Sequence, residues 1–147
     1  MPGLYPSQQY PAQYSSASLY REIALWRDAV NDVVAYLPAP GSSAATPELF
    51  AYHQQGLTEL AALLQDYMEQ QRQPYHKIIH GSAGTLNAAK AAKDSARRSA
   101  KRFADYYRKP QKYNQVDVTL DLRHLLAQLS NLLGLSLIHI SEPTRPY

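Results

Sequence analysis

Nine lysines and arginines fall between Leu86 and Lys112, against only Asp94 and Asp105, and these cations have the clearest capacity for chemistry. Lys90, Arg97, Lys101 and Arg108 recur at intervals of 7, 4 and 7, which places them along one side of a helix. Lys93, Arg98, Arg102 and Lys109 widen that strip. Such a strip attracts an anionic partner: a phosphate backbone, an acidic membrane surface or the acidic face of another protein. It is equally what a solvated helix face looks like when Asp28, Asp32, Glu59, Asp66 and Glu69 of preceding helices balance it. Tyr106 and Tyr107 could stack on bases, but two aromatics at a helix end make no nucleic-acid motif.

Other chemistry-bearing residues are sparser. His80-Gly81-Ser82-Ala83-Gly84 approaches a nucleophile elbow, but histidine occupies the first glycine position and no strand precedes it. Gly81 to Thr85 could still present N–H groups to an anion near Lys90, although glycine and serine before a helix are also ordinary capping chemistry. His76 and His80, four apart, could share a metal, but a zinc site needs three or four ligands and no carboxylate is placed to complete one. His53 and His124 read as isolated packing or surface histidines. The carboxylates Glu59, Asp66 and Glu69 lie on one helix, where no pair faces across a cleft. Phosphate loops, dinucleotide fingerprints and HExxH are all missing. The expectation is therefore a protein that is no enzyme, with no catalytic residue, metal or cofactor.

Composition narrows the class further. Absence of cysteine excludes disulfides, thiolate catalysis and cysteine-ligated zinc. Twelve tyrosines against two phenylalanines suit half-exposed helix faces, because tyrosine buries a ring while keeping its hydroxyl wet. The net charge of +3 conceals the concentration of positive charge in 86–112, since both flanking segments are net negative. Met1-Pro2-Gly3-Leu4-Tyr5-Pro6 carries no basic stretch leading into an apolar run, so an intracellular, cytoplasmic location is the default expectation.

The tail Leu135-Ser136-Leu137-Ile138-His139-Ile140-Ser141-Glu142-Pro143-Thr144-Arg145-Pro146-Tyr147 resembles the in-frame translation of a sequencing-library adapter rather than any protein family. That resemblance implies that 135–147 is adapter-derived and that the natural chain continues past Gly134. The apolar run from Leu125 to Ile140 is broken by Gln128, Asn131 and His139, and no transmembrane segment is expected there.

Periodicity supplies the elements that position the cations. Residues 1–17, rich in Pro, Gln and Tyr, read as a disordered arm of polyproline character; Tyr5, Tyr10 and Tyr14 suggest a tyrosine docking or phosphorylation motif as the alternative. Leu19, Ile23, Trp26, Val30, Val33 and Leu37 form a heptad stripe over a first helix, Ser18 to Leu37, ended by Pro38 and Pro40. Thr46, Pro47 and Glu48 start a second helix with Phe50, Leu57, Leu60, Leu64, Tyr67 and Met68 inward, reaching about Gln73 before Pro74. The third keeps 3,4 spacing through Ile79, Ser82, Leu86, Ala89, Lys93, Ala96, Ala100, Phe103 and Tyr107, with either a break near Gly84 or a soft start at Tyr75. Its small seam residues allow a neighbour to approach closely. After a turn at 111–115, Val118, Leu122, Leu125, Leu129 and Leu132 define a fourth, widened by Leu120, Leu126 and Leu133.

These patterns predict an all-α protein: an antiparallel bundle or long hairpin of about four helices over 18–134. The function expected first is a non-catalytic interaction or scaffold protein, self-associating or docking on partner helices. The second is binding of an acidic membrane surface or nucleic acid through helix 86–112.

Overall fold

The computed structural model describes residues 4–6, 16–71 and 83–141. Four α-helices stand among them: α1 (Ser16–Tyr36), α2 (Pro47–Gln71), α3 (Ala83–Arg108) and α4 (Gln115–Ser141), with one 3-10 turn at Pro110–Lys112. The described residues contain no strand. The helices pack as an antiparallel all-α bundle. Phe50 meets Phe103 near one end of the α2–α3 pair while Gln65 meets Lys93 further along, and Gln115 at the start of α4 donates to the carbonyl of Leu37 after α1.

Local chemistry explains the boundaries. Thr46 Oγ1 accepts the N–H of Leu49 at 3.2 Å, Pro47 fills a first-turn position that needs no donor, and Glu48 sits at the positive end of α2. Gly41, at φ +80°, takes the left-handed step in the turn leaving α1. Asn114, which sequence reading placed only within a turn, caps α4: its Oδ1 accepts the N–H of Val116 at 3.0 Å. α4 then runs past Gly134 to Ser141, as propagation adds a bond for each residue fixed and Leu and Ile tolerate it. The described part of α3 begins beside Gly84; residues 72–82, including Ile79, Ser82 and the expected start at Tyr75, lie outside the described residues.

One continuous apolar core links all four helices. Ile23, Trp26, Val30, Val33 and Leu37 are buried, as are Leu57, Leu60 and Leu64 of α2 and Leu122, Leu125 and Leu129 of α4. From α3 come Ala89, Ala96, Ala100 and Phe103, with Leu86 half-buried; the side chain of Leu19 lies outside the described residues. The expected α3 seam is corrected at two places. Ala92 and Tyr106 are buried, whereas Lys93 is half-buried and Tyr107 is 49% exposed. Thr85, Ala88, Ser95 and Ser99 are buried as well, so the inward face of α3 is centred to one side of the line drawn through Leu86, Lys93 and Tyr107.

Contact among the helices is uneven. The ring closes tightly between α2 and α3, then between α3 and α4 and between α4 and α1, but loosely between α1 and α2. Alanine at 88, 89, 92, 96 and 100 and serine at 95 and 99 are buried along the middle of α3, where such small side chains let a neighbouring helix come close. At the end carrying the α3–α4 corner, aromatic rings do the packing. Phe50 lies 4.9 Å from Tyr113 and 6.3 Å from Phe103, Tyr106 meets Tyr113 edge-on, and the Tyr113 hydroxyl donates to the carbonyl of Pro38 at 3.0 Å. No helix among the described residues is long and apolar enough to cross a membrane.

Replacing Trp26 and Val30 together with alanine tests this core. Each fully buried side chain should cost about 2 to 5 kcal/mol, against a total stability of about 5 to 15 kcal/mol for a domain. The expected result is a large loss of helical circular dichroism at ambient temperature. An unchanged melting curve would contradict the packing described.

Candidate functional site

The outward side of α3 carries the cations. Lys90, Arg97, Arg98, Lys101, Arg108 and Lys109 are exposed, spanning about 27 Å at 1.5 Å per residue. Asp94 and Asp105 fall on the same side, because steps of 3 and 4 keep them in line, and each takes a cation from its own helix. Lys90 Nζ meets Asp94 at 2.8 Å and Arg108 meets Asp105 at 2.7 Å. Both pairs lie in solvent, where an ion pair is worth little. Lys90 holds the Asp94 carboxyl below the usual aspartate range, chiefly by hydrogen bonding to it.

Two of the expected strip residues turn toward neighbouring helices instead. Arg102 donates through Nε to Asp121 of α4, and that bond raises its pKa further. Lys93 donates to Gln65 Oε1 of α2 at 2.9 Å. Ion pairs to α3 thus come from its own aspartates and from Asp121 of α4. Arg97, Arg98, Lys101, Lys109 and Lys112 form no close ion pair among the described residues, although Arg97 acts on Asp94 from a greater distance. Where α3 turns into the 3-10 segment, Arg102, Asp105, Tyr106, Arg108, Lys109 and Lys112 line a concavity of about 450 Å³.

A second constellation went unread in the sequence. Tyr5, within the expected disordered arm, packs where α1 and α2 stand apart. Its ring stacks on Trp26 at a centroid separation of 5.4 Å, lies 5.3 Å from Tyr52 and meets His53 edge-on at 5.6 Å. Its hydroxyl shares a 2.7 Å hydrogen bond with His53 Nδ1. The Tyr52 hydroxyl accepts the backbone N–H groups of Leu4 at 3.0 Å and Tyr5 at 3.3 Å. Gly56 makes the approach possible, since a Cβ there would stand 2.5 Å from the Tyr5 ring. Burial raises the Tyr5 phenol far above its ordinary range and keeps it protonated. Residues 7–15 of the arm lie outside the described residues, as do His76, His80, Gly81 and Ser82.

His53 belongs to this constellation as a packing residue. It is 1% exposed, occupies the inward stripe of α2 and lies tilted against the ring of Phe103 of α3 at 4.8 Å. His124 is exposed and contacts only Gln128 among the hydrogen bonds found. No group of three or more metal-ligating side chains occurs among the described residues. The mid-helix Gly56 was the one local signal available, because a glycine inside a helical pattern costs stability unless something packs against it. Compared with protein-family models, curated proteins and solved structures, the chain matches none.

Burial lowers the His53 pKa to about 4. An unfolded histidine titrates near 6.5, so between those values the unfolded chain binds the extra proton and stability falls with acid. The contribution is complete above about pH 6.5 and is lost as pH drops through about 4, amounting to about 3 kcal/mol. His53→Asn should flatten the dependence of unfolding free energy on pH across that window. An unaltered slope in the variant would assign the acid sensitivity elsewhere.

Proposed function

We propose that this protein is a non-catalytic binding module that meets an acidic membrane surface through the outward face of α3 and the corner leading into α4. The supporting observation is the exposure of Arg97, Arg98, Lys101, Lys109 and Lys112, none of them in a close ion pair among the described residues, together with exposed apolar side chains at the end of α3 and the start of α4. Tyr107, Val116 and Leu120 are 49%, 64% and 60% exposed there. Cations gain from headgroup phosphates, and apolar tips gain from the headgroup–acyl boundary. A nucleic-acid backbone would use only the first.

A scaffold role through helix–helix packing draws less support. The stripes of α1 and α4 that would receive a partner helix cover each other and the core. A docking helix would be left with scattered side chains such as Leu25 and Tyr36.

Sedimentation with vesicles rich in phosphatidylserine, beside neutral phosphatidylcholine vesicles and duplex DNA, tests the reading. Binding is expected to the acidic vesicles alone and to weaken as salt rises. Each basic residue near such a surface is worth about 1 kcal/mol, so converting Arg97, Arg98 and Lys101 to glutamine should weaken partitioning roughly a hundredfold. Retention of the triple variant at wild-type strength, or a preference for DNA, would overturn the proposal.

A further inference from the structure

The gap between α1 and α2 is built around a side chain that reaches it from elsewhere in the sequence. Tyr5 is separated from its hydrogen-bonding partners Tyr52 and His53 by 47 and 48 positions. The ring, the phenol and the amides of a tyrosyl peptide are all met there. The ring lies against Trp26 and Tyr52, the phenol reaches His53, and two consecutive backbone N–H groups share the Tyr52 hydroxyl. The floor under the ring is the bare Cα of Gly56. Trp26 is itself fully buried, and its Nε1 has no hydrogen-bond partner among the described residues. An unsatisfied buried donor costs about 1 to 3 kcal/mol, so its retention favours a ring positioned for stacking over one positioned for bonding.

We infer that this gap is a binding slot for an unphosphorylated tyrosyl peptide, filled in this structure by the chain's own Leu4-Tyr5-Pro6 and open to an equivalent peptide from a partner protein when that segment leaves. Recognition rests on side-chain geometry and two amide contacts, all of which a separate peptide of the same sequence can reproduce. Selectivity follows from the same residues. A phosphate on the tyrosine would add up to two negative charges, and the slot offers it a neutral, buried imidazole and aromatic rings in place of a cation. The slot is separate from the cationic face of α3 and does not depend on that face binding anything.

The test uses the full chain with Tyr5→Ala and the probe N-acetyl-Leu-Tyr-Pro-amide, read by calorimetry and by emission of the single tryptophan, Trp26. The variant should bind the probe with a change in emission. The wild-type chain, whose own segment competes, should bind at least tenfold more weakly. Adding Gly56→Ala to the variant should abolish binding, and the phosphotyrosine form of the probe should not bind. If Tyr5→Ala lowers helicity, saturating probe should restore it by refilling the gap in trans. A folded variant that ignores the probe, an unfolded one that the probe does not rescue, or equal binding of the phosphorylated probe would each overturn the inference.

Discussion

Close approach of α2 and α3 is the constraint on which the rest depends. Five alanines and two serines face inward from α3, so this helix contributes little apolar area of its own until Phe103 and Tyr106. The larger side chains that fill the core must come from its neighbours, and α2 and α4 supply them as leucines. The arrangement gains dispersion contacts through proximity, since close-packed atoms matter more than side-chain size once water is excluded. It also explains the charge pattern. A helix that gives only small residues to its interior can devote its other positions to long cations, whose stems lie over the surface while their heads stay in water.

Drawing α3 into α2 on one side of the ring leaves less closure on the other. α1 reaches the bundle chiefly through α4 and meets α2 at few places. An aromatic ring from the N-terminal segment packs between the two. His53 stands at the junction of the two arrangements, with Phe103 against one side of its ring and the Tyr5 hydroxyl on Nδ1. Its protonation therefore bears on both.

The parts of this fold that were legible in the sequence are those written in local spacing. Ile23, Trp26, Val30 and Val33 on α1, and Leu122, Leu125 and Leu129 on α4, are large apolar residues whose steps of 3 and 4 admit one burial pattern. The caps at Thr46 and Pro47 were legible for the same reason. On α3 the signal was weaker because alanine and serine mark a seam less sharply than leucine, and the line read through Leu86, Lys93 and Tyr107 lay to one side of the buried Ala92 and Tyr106. The cationic strip was visible as composition, but its pairing was not. Asp94 and Asp105 could be seen on the same helix, whereas the bond from Arg102 to Asp121 depends on how α3 and α4 face each other. Tyr5 lay beyond reach altogether: nothing within ten residues of it has a helical period, and what holds it is Trp26 on α1 and Tyr52 and His53, nearly fifty residues away on α2.

The uneven attachment of α1 also bears on how the molecule opens. A helix secured along one flank by its neighbour and along the other by a short wedge has fewer bonds to break than one enclosed on both sides. Its amides belong to the low-stability end of the molecule. Exchange with solvent deuterium is then expected to reach the amides of α1 before those of α2, α3 and α4.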